Sequence, residues 1–474
     1  MSFQSLHFFV FFAAVFFLNR LLLSRLPARK NMLLAASYYF YMCWDWRFAG
    51  LLLFSTAVNF CCGAMIARSK SEGARKWWVS CALVLSLGLL AYFKYLNFFI
   101  DSAADLLRGF GLNADMGLLQ IALPVGISFY TFQSLSYTLD IYRRQESPTT
   151  SFRDYALFVA FFPTLLAGPI TRAKQFLPQL ESPLPDGDQR IEEGMALILR
   201  GFIKKIAFAD VLAMHLVNPA FSDPYSLSPL FLLVAVYAYS FQIYMDFSAY
   251  TDIARGSAKM LGFELMENFD RPYQAVSVSN FWQRWHISMS SFFRDYLYFS
   301  LGGSKRGNAY WNLLITFVAI GLWHGAGWNF VLYGLIHGSV VAIERSQRER
   351  RKRKGLPGVP EVSGVRWVLS VLITLQIIAF SRILFRASDI DKAWEYVDAM
   401  LSTAGTEHAP FTAVGLTALT LAVLLHYVPK RLSWRPFEAF NAMPAAIKGG
   451  AICATAFILL ALSSGSAPFV YFQF

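Results

Sequence analysis

Charged residues are scarce in this sequence. Asp, Glu, Lys and Arg make up 15% of its 474 residues, whereas 56% are hydrophobic and the mean hydropathy is +0.43. A soluble protein carries charge on about a quarter of its residues. The apolar residues also form long blocks, such as 77–100, in which Lys94 is the one charged side chain, and roughly 20 apolar residues span a bilayer. This composition excludes an ordinary soluble domain and predicts an all-α polytopic membrane protein.

Cysteine and the common catalytic motifs are also scarce or missing. The five cysteines lie in apolar segments without C-x-x-C spacing, and neither H-E-x-x-H nor G-x-S-x-G occurs. These absences argue against a disulfide framework, a zinc site and a serine nucleophile elbow. We therefore expect packing roles for the cysteines, no bound metal and no resident cofactor.

The net charge of +12 comes from basic clusters between the apolar blocks. Such clusters mark cytoplasmic loops of membrane proteins and contact anionic lipid, so nucleic acid is not an expected partner. We predict a multi-pass membrane protein with external termini and an external segment at Asp389–His408. No internal repeat is found, which favours a single membrane domain over 1–474. The predicted cytoplasmic loops include Arg25–Lys30, Arg68–Lys76, Arg348–Lys354 and Lys430–Arg435.

The expected helices include a hairpin over 31–67 around the turn "CWDWR", and spans at 77–100, 117–142, 366–386, 410–428 and 447–465. Three other segments do not fit simple spans. Leu199–Leu212 mixes lysines with apolar residues and predicts an interfacial helix with snorkelling lysines. Ser277–Gly303 is too polar to face lipid and predicts re-entrant or interfacial helices inside the protein. Trp311–Ile343 would be about 50 Å long as one helix, so we expect a break at its glycines, close to His324.

Seven histidines are present. Since His324 and His337 lie more than three turns apart on a common helix, they cannot share a site there. His286 is free to meet His324, and we expect the two within about 10 Å, the range in which side chains act on one substrate. The residues alone leave two roles open: a neutral general base acting on a hydroxyl, or a core histidine bonded to the backbone. Surface or interface positions are expected for His7, His215, His408 and His426.

Several long motifs resemble the membrane-bound O-acyltransferase family, in its bacterial branch that contains the alginate O-acetyltransferase membrane subunit and the D-alanyl transfer protein of teichoic acid synthesis. The motifs are "RWHISMSSFFRDYLYFSLGG", "GLWHGAGWNFVLYGLIHG", "LPVGISFYTFQSLSYTLDIYR", "FFPTLLAGPITR", "YMDFSAYTDIARGSAKMLGF" and the closing "FVYFQF". The resemblance implies a ring of tilted helices around a central funnel with re-entrant or interfacial helices. It places the family's invariant histidine at His324 and its second polar position at His286.

The resemblance also implies a reaction. An acetyl group passes from a cytoplasmic thioester, expected to be acetyl-CoA, to an exopolysaccharide or cell-wall glycan, through a periplasmic esterase-like acetyltransferase partner within a polysaccharide biosynthesis complex. His324 would activate the attacking hydroxyl, and His286 would orient His324 or stabilise the oxyanion. Two alternatives stay open: D-alanyl transfer to teichoic acid, and a non-catalytic acyl channel or scaffold. The side chains expected to bind substrate are Trp323, Trp285, Asn329, Arg284 and Asp246.

Simpler roles compete for the charged members of this set. Asp246 can serve structural hydrogen bonding instead of touching substrate. Arg284 and Arg294 can hold the polar segment instead of binding a coenzyme A phosphate. Asp252 and Arg255, three residues apart, predict an ion pair on a helix surface.

Overall fold

The chain is helical throughout the part that the structure describes. This computed structural model describes residues 1, 3–112, 117, 119, 121–181, 187–358, 362–402, 411–429, 432, 439–440, 442–444, 447–450, 454–455 and 469. The α-helices are α1 Leu6–Leu21, α2 Leu26–Met42, α3 Ala49–Arg68, α4 Glu72–Leu90, α5 Leu96–Gly109, α6 Ile127–Tyr142, α7 Phe152–Ala160, α8 Phe162–Leu165, α9 Ala173–Glu181, α10 Asp188–Phe202, α11 Asn218–Ser222, α12 Pro229–Met260, α13 Val278–Arg284, α14 Ile287–Phe292, α15 Ala309–His324, α16 Trp328–Arg353, α17 Gly364–Arg386, α18 Ile390–Leu401 and α19 Ala413–Tyr427. Among these residues the only extended pairing is one isolated bridge, between Phe269 and Trp285.

Four of the described helical segments are long and apolar enough to cross a membrane: Trp46–Arg68, Glu72–Gly109, Pro229–Met260 and Gly364–Arg386. They confirm an all-α membrane protein and the predicted spans at 77–100 and 366–386. The ring and funnel stay a prediction. The predicted span 447–465, the loop Lys430–Arg435 and the end of Asp389–His408 lie mostly outside the described residues.

The predicted hairpin over 31–67 is confirmed as α2 and α3, joined through a short turn that holds Asp45. The carboxylate of Asp45 accepts a hydrogen bond from the backbone N–H of Arg47 at 3.0 Å, which starts the helical turn that leads into α3. The segment predicted as a span at 117–142 is helical only from Ile127, as α6, and nearly all of its side chains are buried in the protein.

The helices group into two compact units. The first comprises Met1–Gly194 and Ala254–Met266, and the second comprises Met195–Ile253 and Glu267–Phe474. All three histidines that the sequence places in interior segments belong to the second unit. The prediction of one membrane domain over the whole chain stays a prediction.

In the second unit the long apolar run Trp311–Ile343 breaks where its glycines predict. Helix α15 ends at His324, and α16 starts at Trp328. The two helices then pack so closely that glycine is required. A Cβ atom at Gly321 would lie 2.1 Å from the carbonyl oxygen of Phe330, and one at Gly334 would lie 2.4 Å from the carbonyl oxygen of Phe317. This close packing fixes the position of His324 along the axis of α16.

Replacing Gly334 with Ala is expected to lower the amount of folded protein. Its new methyl group would overlap backbone rather than a flexible side chain, and overpacking of this kind costs about 1–3 kcal/mol of stability. Immunoblotting of membranes and thermal melting in detergent would measure the loss. Gly88→Ala in α4 is the matched control, because no atom lies within 4 Å of a Cβ there. Equal melting temperatures for the two variants would contradict this packing.

The prediction for Leu199–Leu212 is wrong for its lysines. The segment is helical, but the side chain of Lys205 is 1% exposed and lies 2.8 Å from Asp210 and 2.7 Å from Asp246. Lys204 bonds to Asp252 at 2.7 Å. The lysines point into the protein because α12 supplies buried carboxylates opposite them, whereas snorkelling would carry their charges out to water.

Asp252 also differs from its prediction. It is 4% exposed and accepts hydrogen bonds from Arg200 and Lys204 at 2.8 Å and 2.7 Å. Asp252 is therefore part of a buried charge cluster in the second unit and not of an ion pair on a helix surface.

Candidate active site

His286 lies at the break between α13 and α14, in an unusual backbone conformation. Its φ of 43° and ψ of 56° place it in the left-handed region, which costs a non-glycine residue about 1–3 kcal/mol and occurs often at functional sites. The surrounding backbone holds this conformation. Asp270 N–H donates to the carbonyl of Arg284 at 2.9 Å, and Ile287 N–H donates to the carbonyl of Asn268 at 3.0 Å.

His324 is the last residue of α15, directly before the extended Gly325. Its ring is 3% exposed and contacts the rings of Phe385 at 5.0 Å and Tyr333 at 6.3 Å between centroids. The imidazole of His324 therefore lies in the interior of the second unit, at the point where the helix breaks.

The indole of Trp323 joins the two histidines. Its ring centroid is 5.3 Å from that of His286 and 5.0 Å from that of His324, which bounds the separation of the imidazoles at about 10 Å. Both residues are buried. The structure thus brings them into one place, as expected for a shared site, while their chemical roles stay predictions.

His337 takes a different position, in a directed chain of hydrogen bonds. The indole N–H of Trp282 lies 3.2 Å from His337 Nδ1 and can only donate. Nδ1 is therefore the acceptor, and Nε2 carries the hydrogen that is donated to Ser381 Oγ at 2.9 Å. Ser381 Oγ in turn donates to the carbonyl of Ile378. Both ring nitrogens of His337 are bonded to side chains of the protein, which indicates a structural role, although the sequence suggested backbone partners for a histidine of this kind.

Two predicted substrate-binding residues have protein partners. The amide nitrogen of Asn329 donates to the carbonyls of Leu384 and Ala387 at 3.1 Å and 3.0 Å, so Asn329 caps the end of α17. Arg284 donates to Asn280 Oδ1 at 3.1 Å and lies 3.2 Å from the carbonyl oxygen of Asp270. Their contact with substrate stays a prediction.

Two more of the five predicted substrate-binding residues, Asp246 and Trp285, also contact other protein groups. The carboxylate of Asp246 pairs with Lys205, and the ring of Trp285 is covered by the guanidinium of Arg382 at 4.3 Å. Arg382 was missed in the sequence, although it is the one charged residue between Arg366 and Arg386, the ends of the predicted span, and such a residue is itself a signal for function.

The surface position predicted for His426 is wrong. The side chain is 3% exposed, and its Nε2 accepts a hydrogen bond from the backbone N–H of Tyr273 at 3.2 Å. Its ring packs against the rings of Phe241 and Tyr244. Helix α19 therefore packs its last turn into the protein, where the sequence predicts only a helix end. His408 lies outside the described residues.

A cavity of about 870 Å³ lies among α13, α14, α15 and α16, and its lining includes neither His286 nor His324. Its wall includes Ile287, which follows His286, and Ile320, one helical turn before His324. At the other end it is lined by four cationic side chains and one carboxylate, those of Arg294, Arg345, Arg348, Lys352 and Glu349.

The carboxylate of Glu349 is charged at neutral pH. A hydrogen bond from the hydroxyl of Tyr310 at 3.0 Å and an ion pair with Arg345 at 2.8 Å lower the pKa of Glu349 below its usual value. Glu349 balances one cation, so the basic end of the cavity keeps a positive charge. Such a site favours an anionic ligand.

The described residues contain no group of three or more His, Cys, Asp and Glu side chains arranged to hold a metal ion. The described cysteines, Cys43, Cys61, Cys62 and Cys81, are free thiols, and Cys453 lies outside the described residues.

Comparison with known proteins identifies the motifs around these residues. Residues 134–361 match the sequence model of MBOAT, the membrane-bound O-acyltransferase family. This range contains His286, His324 and most of the residues that line the cavity.

Individual relatives extend the similarity over most of the chain. The chain is 37% identical to "Probable alginate O-acetylase AlgI" of Azotobacter vinelandii over 427 residues, which are 88% of this chain and 81% of that protein. It is 32% identical to the "Peptidoglycan O-acetyltransferase" of Helicobacter pylori over 79% of this chain and 74% of that protein. The similarity to the "Teichoic acid D-alanyltransferase" of Streptococcus thermophilus is 28% and covers 48% of this chain and 57% of that protein.

Proposed function

The chain belongs to the membrane-bound O-acyltransferase family, and from that premise we propose that it transfers an acetyl group from cytoplasmic acetyl-CoA toward the hydroxyl groups of an exopolysaccharide or cell-wall glycan. It is an O-acetyltransferase. One observation carries the proposal: two buried histidines contact the same indole, and residues close to each of them in the chain line a cavity whose other end is basic.

The charges of the cavity support coenzyme A as the carrier of the acetyl group. Coenzyme A bears several phosphate charges at one end and its thioester at the other. Arg294, Arg348 and Lys352 would bind the phosphates by charge-assisted hydrogen bonds. The narrower pantetheine arm would then run along the apolar wall toward Ile287 and Ile320, which brings the thioester close to the histidines.

The histidines supply acid–base chemistry for the transfer. His324 accepts the proton of the acceptor hydroxyl as its oxygen attacks the thioester carbonyl carbon. The new C–O bond forms, the C–S bond breaks, and the sulfur leaves with a proton as free coenzyme A. His286 orients His324 or donates to the carbonyl oxygen, whose negative charge grows in the transition state.

The acceptor side of the proposal is supported by the relatives. Two of them are named for alginate and for peptidoglycan, both of which are glycans with free hydroxyl groups. We place the protein in the bacterial inner membrane, where it would take acetyl-CoA from the cytoplasm and pass the acetyl group to a periplasmic esterase-like partner within a polysaccharide biosynthesis complex.

Neutralising the basic end of the cavity should weaken donor binding. For Arg348→Gln with Lys352→Gln we expect the KM for acetyl-CoA to rise about 100-fold, about tenfold for each of the two charge-assisted hydrogen bonds lost. The kcat should stay close to wild type, because neither residue lies at the histidines. The measurement is acetyl transfer from labelled acetyl-CoA by membranes of the producing cell, per amount of protein.

Lys354→Gln is the matched control, because Lys354 belongs to the same basic cluster but is exposed and does not line the cavity. Its KM should equal that of the wild type. Absence of turnover with acetyl-CoA would contradict the proposed donor, and turnover with a D-alanyl carrier protein instead would favour D-alanyl transfer. A KM that rises equally in the control would contradict the role of the cavity.

A further inference from the structure

A buried arginine that the proposed mechanism does not use lies beside the candidate site. Arg382 is on α17, which is long and apolar enough to cross a membrane, and its side chain is 1% exposed. An ionisable side chain inside a membrane span is costly, rare and usually functional. Its contacts indicate what that function is.

The guanidinium of Arg382 lies over the indole ring of Trp285, the residue before His286. The distance from Cζ to the centre of the indole is 4.3 Å, well within the 6 Å limit of a cation–π interaction, which is strongest where water is excluded. The indole is also stacked on Phe281, with 5.5 Å between ring centroids and an angle of 16° between the planes. The indole of Trp285 therefore contacts both the guanidinium of Arg382 and the ring of Phe281.

Trp285 immediately precedes His286, so its position decides where the histidine points. Its backbone N–H donates to the carbonyl of Phe281 at 2.8 Å, and it forms the isolated bridge with Phe269. With both the backbone and the indole fixed, His286 can be kept in its left-handed conformation. Movement of the indole would release this constraint.

The last two turns of α17, which carry Arg382, also contact the other two interior histidines. Ser381 accepts the hydrogen bond from His337, and the ring of Phe385 lies 5.0 Å from that of His324. The carbonyls of Leu384 and Ala387 accept from Asn329, at the start of α16. The last two turns of α17 thus contact every segment that carries an interior histidine.

We propose that the side chains of Ser381, Arg382 and Phe385, on the last two turns of α17, position the interior histidines for acyl transfer. Arg382 is the positioning residue, which holds Trp285 so that His286 faces His324. Arg382 acts through the indole and need not touch the substrate. This inference rests on the proposed function, because its effect is measured on the transfer reaction.

Arg382→Gln should lower the kcat for acetyl transfer about 10- to 100-fold, because displacing a reacting group by up to about 1 Å costs this much. The KM for acetyl-CoA should change less than about twofold. Arg382→Lys keeps the charge and can still approach the indole face, so part of the kcat should return. A purely structural arginine would instead lower the melting temperature and leave the kcat of the folded fraction unchanged. If Arg382→Gln does not fold, the kcat of Arg382→Lys decides, and a wild-type value would overturn the proposal.

Arg386→Gln is the matched control. Arg386 is one turn further along α17, and its guanidinium lies over the ring of Phe221 at 5.4 Å and bonds to Asn218, away from the histidines. Its removal costs a contact of the same kind and should leave the kcat at the wild-type value. An equal loss of kcat in both variants would overturn the role of Arg382.

A double-mutant cycle separates action through Trp285 from other effects. If Arg382 works through the indole, Arg382→Gln should cost little further kcat in a Trp285→Leu background, whereas independent effects would multiply. Independent effects would overturn the proposed path. The failure of the proposed function is distinguishable, because then the wild-type protein itself would not consume acetyl-CoA.

Discussion

His324→Ala is expected to abolish O-acetylation of the polymer and to leave the protein in the membrane at its normal level. General-base catalysis contributes about 10²- to 10⁴-fold to a rate. Neither of the other two interior histidines can take its place, because His286 is held by the strained turn before α14 and His337 has both nitrogens bonded. The fold should tolerate the change, because the residue ends α15 and the close packing of α15 on α16 depends on glycines. The measurements are the acetyl content of the polymer, acetyl-CoA turnover and protein level.

Two further variants give this result its control. His286→Asn should be milder than His286→Ala, because an amide can still hydrogen-bond at that position. His337→Ala should lower turnover less than either alanine change, since its loss removes a hydrogen-bond acceptor from Trp282 rather than a group facing His324. Full acetylation by normally expressed His324→Ala would exclude the catalytic assignment, and the acyl channel or scaffold would take its place.

The break beside His324 could be predicted because its cause is local. A run of apolar residues too long for one span carries glycines at 325 and 327, and the structure interrupts the helix there. The hairpin of α2 and α3 and the irregular helices of Ser277–Gly303 have the same kind of local signal. Helix existence, helix breaks and the convergence of two histidine motifs are therefore within reach of the sequence.

The contacts across the fold could not be predicted, because their partners are distant in the chain. The carboxylate that turns Lys205 inward lies on α12, 41 residues away. Arg382 reaches Trp285 from another helix, and the nitrogen of His426 accepts from Tyr273, 153 residues away. Lys205 and His426 have ordinary surface or interfacial roles when their own segments are considered alone, and Arg382 signals a function without indicating its partner.

Lys205→Met is expected to lower the amount of folded protein severely. The change leaves the carboxylate of Asp246, which is 1% exposed, without its cation at 2.7 Å. Breaking a buried ion pair on one side costs about 3–5 kcal/mol, because a charge then stays buried and unpaired. Lys204→Met is the matched control: its partner Asp252 keeps a second cation, Arg200, so the loss should be small. Membrane immunoblots and melting curves in detergent measure both.

The double variant Lys205→Met with Asp246→Asn then decides what Asp246 does. Removing both charges eliminates the unpaired carboxylate, while Asp210, the other partner of Lys205, has a side chain that is 15% exposed and can be solvated in part. Folded protein should therefore return toward the wild-type level. If Asp246 serves only to pair with Lys205, acetyl transfer per molecule will return as well, and the predicted substrate contact will be wrong. If the amount of folded protein returns without activity, the carboxylate of Asp246 is required by the reaction. Its position allows this, because the ring of Phe247, the next residue, lies 4.7 Å from that of His286.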